Sequence, residues 1–189
     1  MTQHRITKAL VSLLVIPFWS FVSNAQISFQ TKTFKLSFNG SGQLVEALAL
    51  ASNKNYLPAN ETSFLLSVKR NGKIINPERL EWKKNSSEVA LYYPDKNTAV
   101  VKTSQNAAYV RFELTQLSDA SNAELILWGP YPTTIGETIG EVVGVVRNKD
   151  FAIGIQGLNI KTLGGYPSAE SDIQPSYDVF SEGNKVDIL

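Results

Sequence analysis

Along most of this chain apolar and polar residues alternate with a period of two, the signature of a β-strand with one buried face. Thr33-Phe34-Lys35-Leu36-Ser37-Phe38 puts Phe34, Leu36 and Phe38 on one side and the polar residues on the other. Asn39-Gly40-Ser41-Gly42 is a turn cluster, and the apolar-rich run over 43–50 that follows predicts a hairpin. Further strands are expected over 64–68, 88–93, 98–102, 124–128, 142–146 and 151–155. Another is expected over 109–114, where Val110, Phe112 and Leu114 should face the core. Turn chemistry separates them: Asn71-Gly72, Pro94-Asp95-Lys96-Asn97 and Arg147-Asn148-Lys149-Asp150. The stretch 44–51 contains helix formers, but it is short and flanked by hairpin signals. Turn signals spaced by roughly ten residues predict an all-β fold, an antiparallel sandwich of two packed sheets over 27–166 with little helix.

The first 25 residues break this pattern. His4, Arg5 and Lys8 precede an apolar run over 9–22, and Ser23-Asn24-Ala25 supplies small residues for cleavage, the order of a secretory signal. The run carries Pro17 and falls short of the about 20 apolar residues that a membrane-spanning helix needs. Processing after Ala25 would start the mature protein at Gln26, in the periplasm or outside the cell.

Composition then narrows the chemistry. The single histidine lies in the leader and there is no cysteine, so residues 26–189 offer no Ser-His-Asp or Cys-His nucleophile and no His- or Cys-ligated metal. Nothing calls for a cofactor. Losing Arg5 and Lys8 leaves 16 basic against 17 acidic groups, a net charge of −1 that lacks the footprint of a nucleic-acid binder. Without disulfides, stability must come from burial, and the absent lipobox cysteine excludes that route to a lipid anchor. Asn39-Gly40-Ser41, Asn60-Glu61-Thr62 and Asn85-Ser86-Ser87 match the glycosylation sequon, which matters only in a eukaryotic secretory pathway.

The densest candidate segment runs from Trp128 to Glu141, with Gly129, Pro130 and Pro132 demanding a defined loop. Glu137 and Glu141 are four apart and would share a face of either a strand or a helical turn. Paired carboxylates are the minimum for glycoside hydrolysis, one as acid and the other as nucleophile or base, with Arg147 as a charge partner. Solvated carboxylates are also common, so the pair is the fallback catalytic assignment. Gly136, Gly140 and Gly144 lack the Gly-Lys-Ser/Thr ending of a phosphate loop and fit bulges or close backbone approach better. Trp82, Tyr92, Tyr93, Trp128, Tyr131 and Tyr166 could offer flat faces to sugar rings. Trp128 ends an apolar strand and reads first as core; Tyr131 and Tyr166 lie among Pro and Gly and are the expected exposed platforms.

The stretch from Trp128-Gly129-Pro130 to Arg147, followed by Gly154-Ile155-Gln156-Gly157-Leu158-Asn159-Ile160-Lys161-Thr162-Leu163-Gly164-Gly165, resembles the N-terminal β-sandwich of secreted glycoside hydrolases. Those modules are similar to the galactose-mutarotase-like supersandwich and precede a larger catalytic domain. The resemblance spans 27–166 and implies a supersandwich-like module that binds carbohydrate weakly, through Tyr131, Tyr166 and Trp128, or packs on a glycoside hydrolase catalytic domain. It departs from the family in two ways. Mutarotases use histidine with a carboxylate, so that activity is not carried over. Residues 167–189 are polar with two prolines and read either as a frayed tail or as a linker cut short of a missing domain. The expected role is therefore an exported accessory module, with an enzyme using Glu137 and Glu141, or a surface module without a small ligand, as the rivals. Edman sequencing of the exported product should begin at Gln26; a cytosolic product with the leader intact would refute the export assignment.

Overall fold

The computed structural model describes residues 26–139, 144–159 and 162, together with the backbone of two short strands at 166–167 and 175–176. Residues 1–25, read from the sequence as a secretory signal, lie outside the described residues. The chain is all-β, built of antiparallel sheets in a sandwich-like arrangement. The first sheet joins β1 (Ile27–Gln30), β2 (Phe34–Phe38), β3 (Leu44–Ala49) and β4 (Lys54–Asn55) in that order. Next come β5 (Ser67–Arg70), β6 (Lys73–Ile75), β7 (Arg79–Lys83), β8 (Glu88–Tyr92), β9 (Thr98–Gln105), β10 (Val110–Leu117) and β11 (Leu125–Leu127). Of these, β10-β9-β8-β7 form a second four-stranded sheet and β11-β5-β6 a three-stranded one. Then β12 (Thr138–Ile139), β13 (Gly144–Arg147) and β14 (Ala152–Ile155) make a small meander, and β15 (Tyr166–Pro167) pairs with β16 (Pro175–Ser176). The described helices are two single 3-10 turns, Lys84–Ser86 and Ala120–Asn122, and none is long and apolar enough to cross a membrane.

Turns fall where their chemistry demands. Between β5 and β6, Asn71 and Gly72 take φ of 50° and 72°, the conformation of a type I′ hairpin. A side chain at Gly72 would meet nothing within 4 Å, so glycine is there for its backbone freedom. At Gly144 the reason differs: an added Cβ would sit 2.9 Å from the Ile155 side chain and 3.1 Å from its carbonyl, the close approach expected from the sequence.

Alternation delivers the core. Phe38 is fully buried, Leu36 packs against the core half-exposed, and Phe34 is half-exposed. From the second sheet come Leu80, Val89, Leu91, Ala99 and Val101, and from the third Val68 and Ile126. Val110, Phe112 and Leu114 face inward as expected but remain half-exposed, because β10 is an edge strand with no neighbour beyond it. Phe29 of β1 is the central contact. Its ring meets Phe112 at 5.1 Å, Trp82 at 5.6 Å and Phe38 at 6.2 Å, each edge to face. Such pairs contribute about 0.5–1.5 kcal/mol each beyond their buried area.

Two expectations need correction. Residues 64–68 do not form one strand: Phe64 makes an isolated bridge to Gln43, and regular pairing begins at Ser67. Leu65 and Leu66 are both fully buried, which alternation would not allow, so the chain is irregular there. The described strands also exceed two sheets, since β12–β14 stand apart and build a second core. In that core Tyr56, Ala49, Ile135 and Val146 are buried, and Tyr56 stacks on Phe151 at 5.4 Å and 11°.

Two buried polar side chains, Ser37 and Arg70, are held by partners on other segments, although the second terminal nitrogen of Arg70 is buried without a hydrogen bond. Ser37, fully buried, donates to Glu46 at 2.7 Å, and Lys35 pairs with the same carboxylate oxygen at 2.8 Å. Burial pushes the Glu46 pKa upward, but the bonds from Lys35 and Ser37 win and hold it below the usual range. Arg70, 6% exposed, donates to the Asp119 carbonyl at 2.7 Å and carboxylate at 3.0 Å, with Asp95 at 3.5 Å from Nε. It thereby ties the 94–97 turn to the chain after β10.

Replacing Phe29 by alanine removes a buried ring shared by both four-stranded sheets and should cost about 3–5 kcal/mol in urea unfolding. A loss under about 1 kcal/mol would place that ring outside the core.

Candidate functional site

The segment 128–137 is a strap rather than an open loop. Gly129, at φ 80°, turns the chain after β11, and Trp128 stacks on Phe112 with ring centres 6.5 Å apart. Ser63 donates its hydroxyl to the Pro130 carbonyl, and Tyr131 donates its own to the Leu65 carbonyl at 2.9 Å. Burial of that hydroxyl pushes its pKa well above the ordinary tyrosine value. Further on, the Thr134 amide donates to the Tyr56 carbonyl at 2.8 Å and Ile135 is buried in the second core. The strap thus runs from the main core to the smaller one. Tyr131 is corrected from an exposed platform to a half-buried strut, because its polar end satisfies a carbonyl of the irregular 64–66 stretch. Trp128, half-buried, packs as the core residue that its strand position suggested.

The acid pair is not brought together among the described residues. Glu137 is exposed and accepts the Lys149 amide at 3.3 Å, whereas Glu141 lies outside the described residues. Arg147 is exposed on β13, opposite Thr138. Tyr166 belongs to β15, but its side chain lies outside the description. Among the described residues no group of three or more carboxylates is placed to hold a metal ion.

Exposed aromatic surface lies elsewhere, at one end of the second sheet. Trp82 is 37% exposed at the end of β7, its ring rooted edge-on against Phe29. Tyr109, 53% exposed, stands just before β10. The strands are antiparallel neighbours, so the β7–β8 and β9–β10 turns emerge at the same end, with β7 and β10 about 14 Å apart across three strand spacings. The β1–β2 turn joins them, because the Lys32 amide donates to the Ala107 carbonyl at 2.9 Å and the Gln30 amide to the Gln105 side chain at 3.2 Å.

Two of the turns are closed by their own side chains, and the third is fastened to β9. Asn106 accepts the amides of Ala108 and Tyr109 at 2.8 and 3.0 Å; Thr31 accepts those of Thr33 and Phe34 at 3.1 and 3.0 Å. Ser87, in the left-handed region at φ 53°, ends the third turn and accepts both the amide and the hydroxyl of Thr103. The result is a fixed polar rim of Thr, Lys, Gln, Asn and Ser around two exposed aromatic rings. It can bind by ring stacking and hydrogen bonding.

Compared with known proteins, the chain matches no family model, and neither a curated protein nor a solved structure comes out as similar to it. The geometry therefore stands by itself. Trp82 was among the aromatics considered from sequence, and the polar run Lys83-Lys84-Asn85-Ser86-Ser87 behind it was the available signal. Tyr109 was read only as strand; the Asn106-Ala107-Ala108 turn before it marks its position at a tip.

Tyr131→Phe should lose about 1 kcal/mol of stability, the net worth of one enclosed hydrogen bond plus part of the cost of an unpaired carbonyl. Guanidinium unfolding checks it; an unchanged midpoint would mean that the hydroxyl is solvated.

Proposed function

We propose that this chain is an exported accessory β-sandwich module that recognises carbohydrate at the loop-bearing end of its second sheet. The observation that carries this reading is Trp82, 37% exposed on a rigid strand, backed by Phe29 and bordered by the polar 84–87 turn. A flat apolar ring beside hydrogen-bonding groups suits a sugar, which has C–H faces and hydroxyl edges. Tyr109 extends the surface along the same rim. The ring is held by packing and the turns by their own bonds, so little ordering accompanies binding. A second reading, packing on a glycoside hydrolase catalytic domain, draws on Ile74 and Leu158, 60% and 65% exposed. The resemblance to hydrolase accessory modules is compatible with both and adds no catalytic group.

Titration calorimetry of the mature protein against a polysaccharide panel, with Trp82→Ala and Tyr109→Ala beside wild type, tests the site. Trp82→Ala should weaken binding about tenfold, equivalent to roughly 1.4 kcal/mol, with circular dichroism confirming the fold. Binding that ignores both substitutions would move the site, and no binding to any glycan would favour the packing role.

A further inference from the structure

The same rim is electrically lopsided. The three turns over 30–33, 83–87 and 104–109 hold Lys32, Lys83 and Lys84 and not one Asp or Glu. The nearest carboxylates, Glu88 and Glu113, are already engaged by the sheet. On its outer face Lys83, Glu88, Lys102 and Glu113 stand opposite one another across four strands, alternating in charge. Glu88 also accepts the Ser86 hydroxyl at 2.8 Å, and Glu113 pairs with Arg111 at 3.0 Å. Lys32 and Lys84 are exposed and have no carboxylate within 4 Å among the described residues. At the opposite end of the sandwich Glu78, Asp95 and Asp119 stand beside Arg70, Arg79 and Lys96, so charges of both signs are present there and Arg70 is paired. The rim differs in holding two exposed lysines that no carboxylate offsets, beside the exposed rings.

From this juxtaposition we infer that the ligand class is an acidic polysaccharide, a chain of sugars bearing carboxylate groups. Trp82 and Tyr109 take ring faces, while Lys32 and Lys84 meet the carboxylates. The inference rests on the carbohydrate reading above and specifies its ligand. Exposed lysines act over about a Debye length, 8 Å at physiological ionic strength, so their contribution must fall as salt is added. Ring stacking does not share that dependence. An oligonucleotide would also offer rings and anions, so it serves as the competing titrant in the test.

The test compares polygalacturonate with its fully methyl-esterified form, which keeps the sugar backbone and removes its charge. Calorimetry would use the mature protein, Lys32→Glu/Lys84→Glu and Trp82→Ala, at low and physiological salt, with a single-stranded oligonucleotide as a further titrant. The expected result is tighter binding of the acid form, weakened about tenfold by the double charge reversal and by added salt. Trp82→Ala should weaken both forms. Equal affinity for acid and ester, both sensitive to Trp82, would overturn the charge inference and leave the carbohydrate reading standing. Acid binding indifferent to Lys32 and Lys84 would overturn the assigned site. Failure of both polymers to bind would overturn the inference, while a neutral glycan that binds through Trp82 in the wider panel would still rescue the carbohydrate reading. Tighter binding of the oligonucleotide would replace both.

Discussion

The contacts of Phe29 organise the main body of this protein. It lies on the four-residue β1, yet its ring touches Phe38 on the adjacent strand and both Trp82 and Phe112 on the facing sheet. Trp82 and Phe112 sit on opposite edge strands, so one ring bridges side chains that reach in from both edges of the sheet. Phe112 then stacks on Trp128, which continues the aromatic row to the start of the strap. Edge-to-face packing is directional, so the contacts of Phe29 orient the rings of Trp82 and Phe112 as well as burying them. The same row sets how Trp82 emerges at the rim. Core packing and the exposed aromatic surface are therefore joined through a single side chain.

The strap solves a second problem. The small meander β12–β14 has only a thin core, to which it gives Val146 and the strap gives Ile135, and a three-stranded sheet of this size gains stability by packing on something larger. Docking against Ala49 and Tyr56 of the first sheet and its margin supplies that surface. Tyr131 and Thr134 fasten the connecting chain to backbone carbonyls at Leu65 and Tyr56, which would otherwise be buried acceptors lacking partners. The prolines and glycine that marked 128–137 as special thus serve to route the chain between two cores.

How much of this was legible follows from the range of each interaction. The hairpins at 39–43, 71–72, 94–97 and 147–151 could be read because turn chemistry and period-two alternation are local. The pattern Arg79-Leu80-Glu81-Trp82-Lys83 alternates too, but its dense charge hid an edge strand whose outer side chains pair with one another. There Arg79 lies 3.6 Å over the Tyr92 ring and Tyr92 donates to Glu81 at 2.7 Å. The site was less legible. Pro and Gly around Tyr131 identify a loop, but whether its aromatic is presented or enclosed is decided by Leu65, 66 residues earlier. Trp82 is the converse, an aromatic in a strand whose exposure comes from its place at a sheet edge.

The two ends of the main sandwich are built by opposite means, and this bears on where recognition can reside. At one end Arg70 is buried between Asp95 and Asp119, and Tyr93 beneath it donates to the Leu66 carbonyl at 3.2 Å. Removing a member there leaves a buried charge or polar group without its partner, a cost that constrains every residue in the cluster. At the other end Thr31, Asn106 and Ser87 close their turns with bonds to nearby backbone, while Lys32, Lys84, Asn85 and Tyr109 point outward. Those outward residues can change without disturbing the turn that carries them. At the rim around Trp82 the shape of the surface is thus held by one set of residues and its chemistry supplied by another, which is what supports the proposal that recognition resides there.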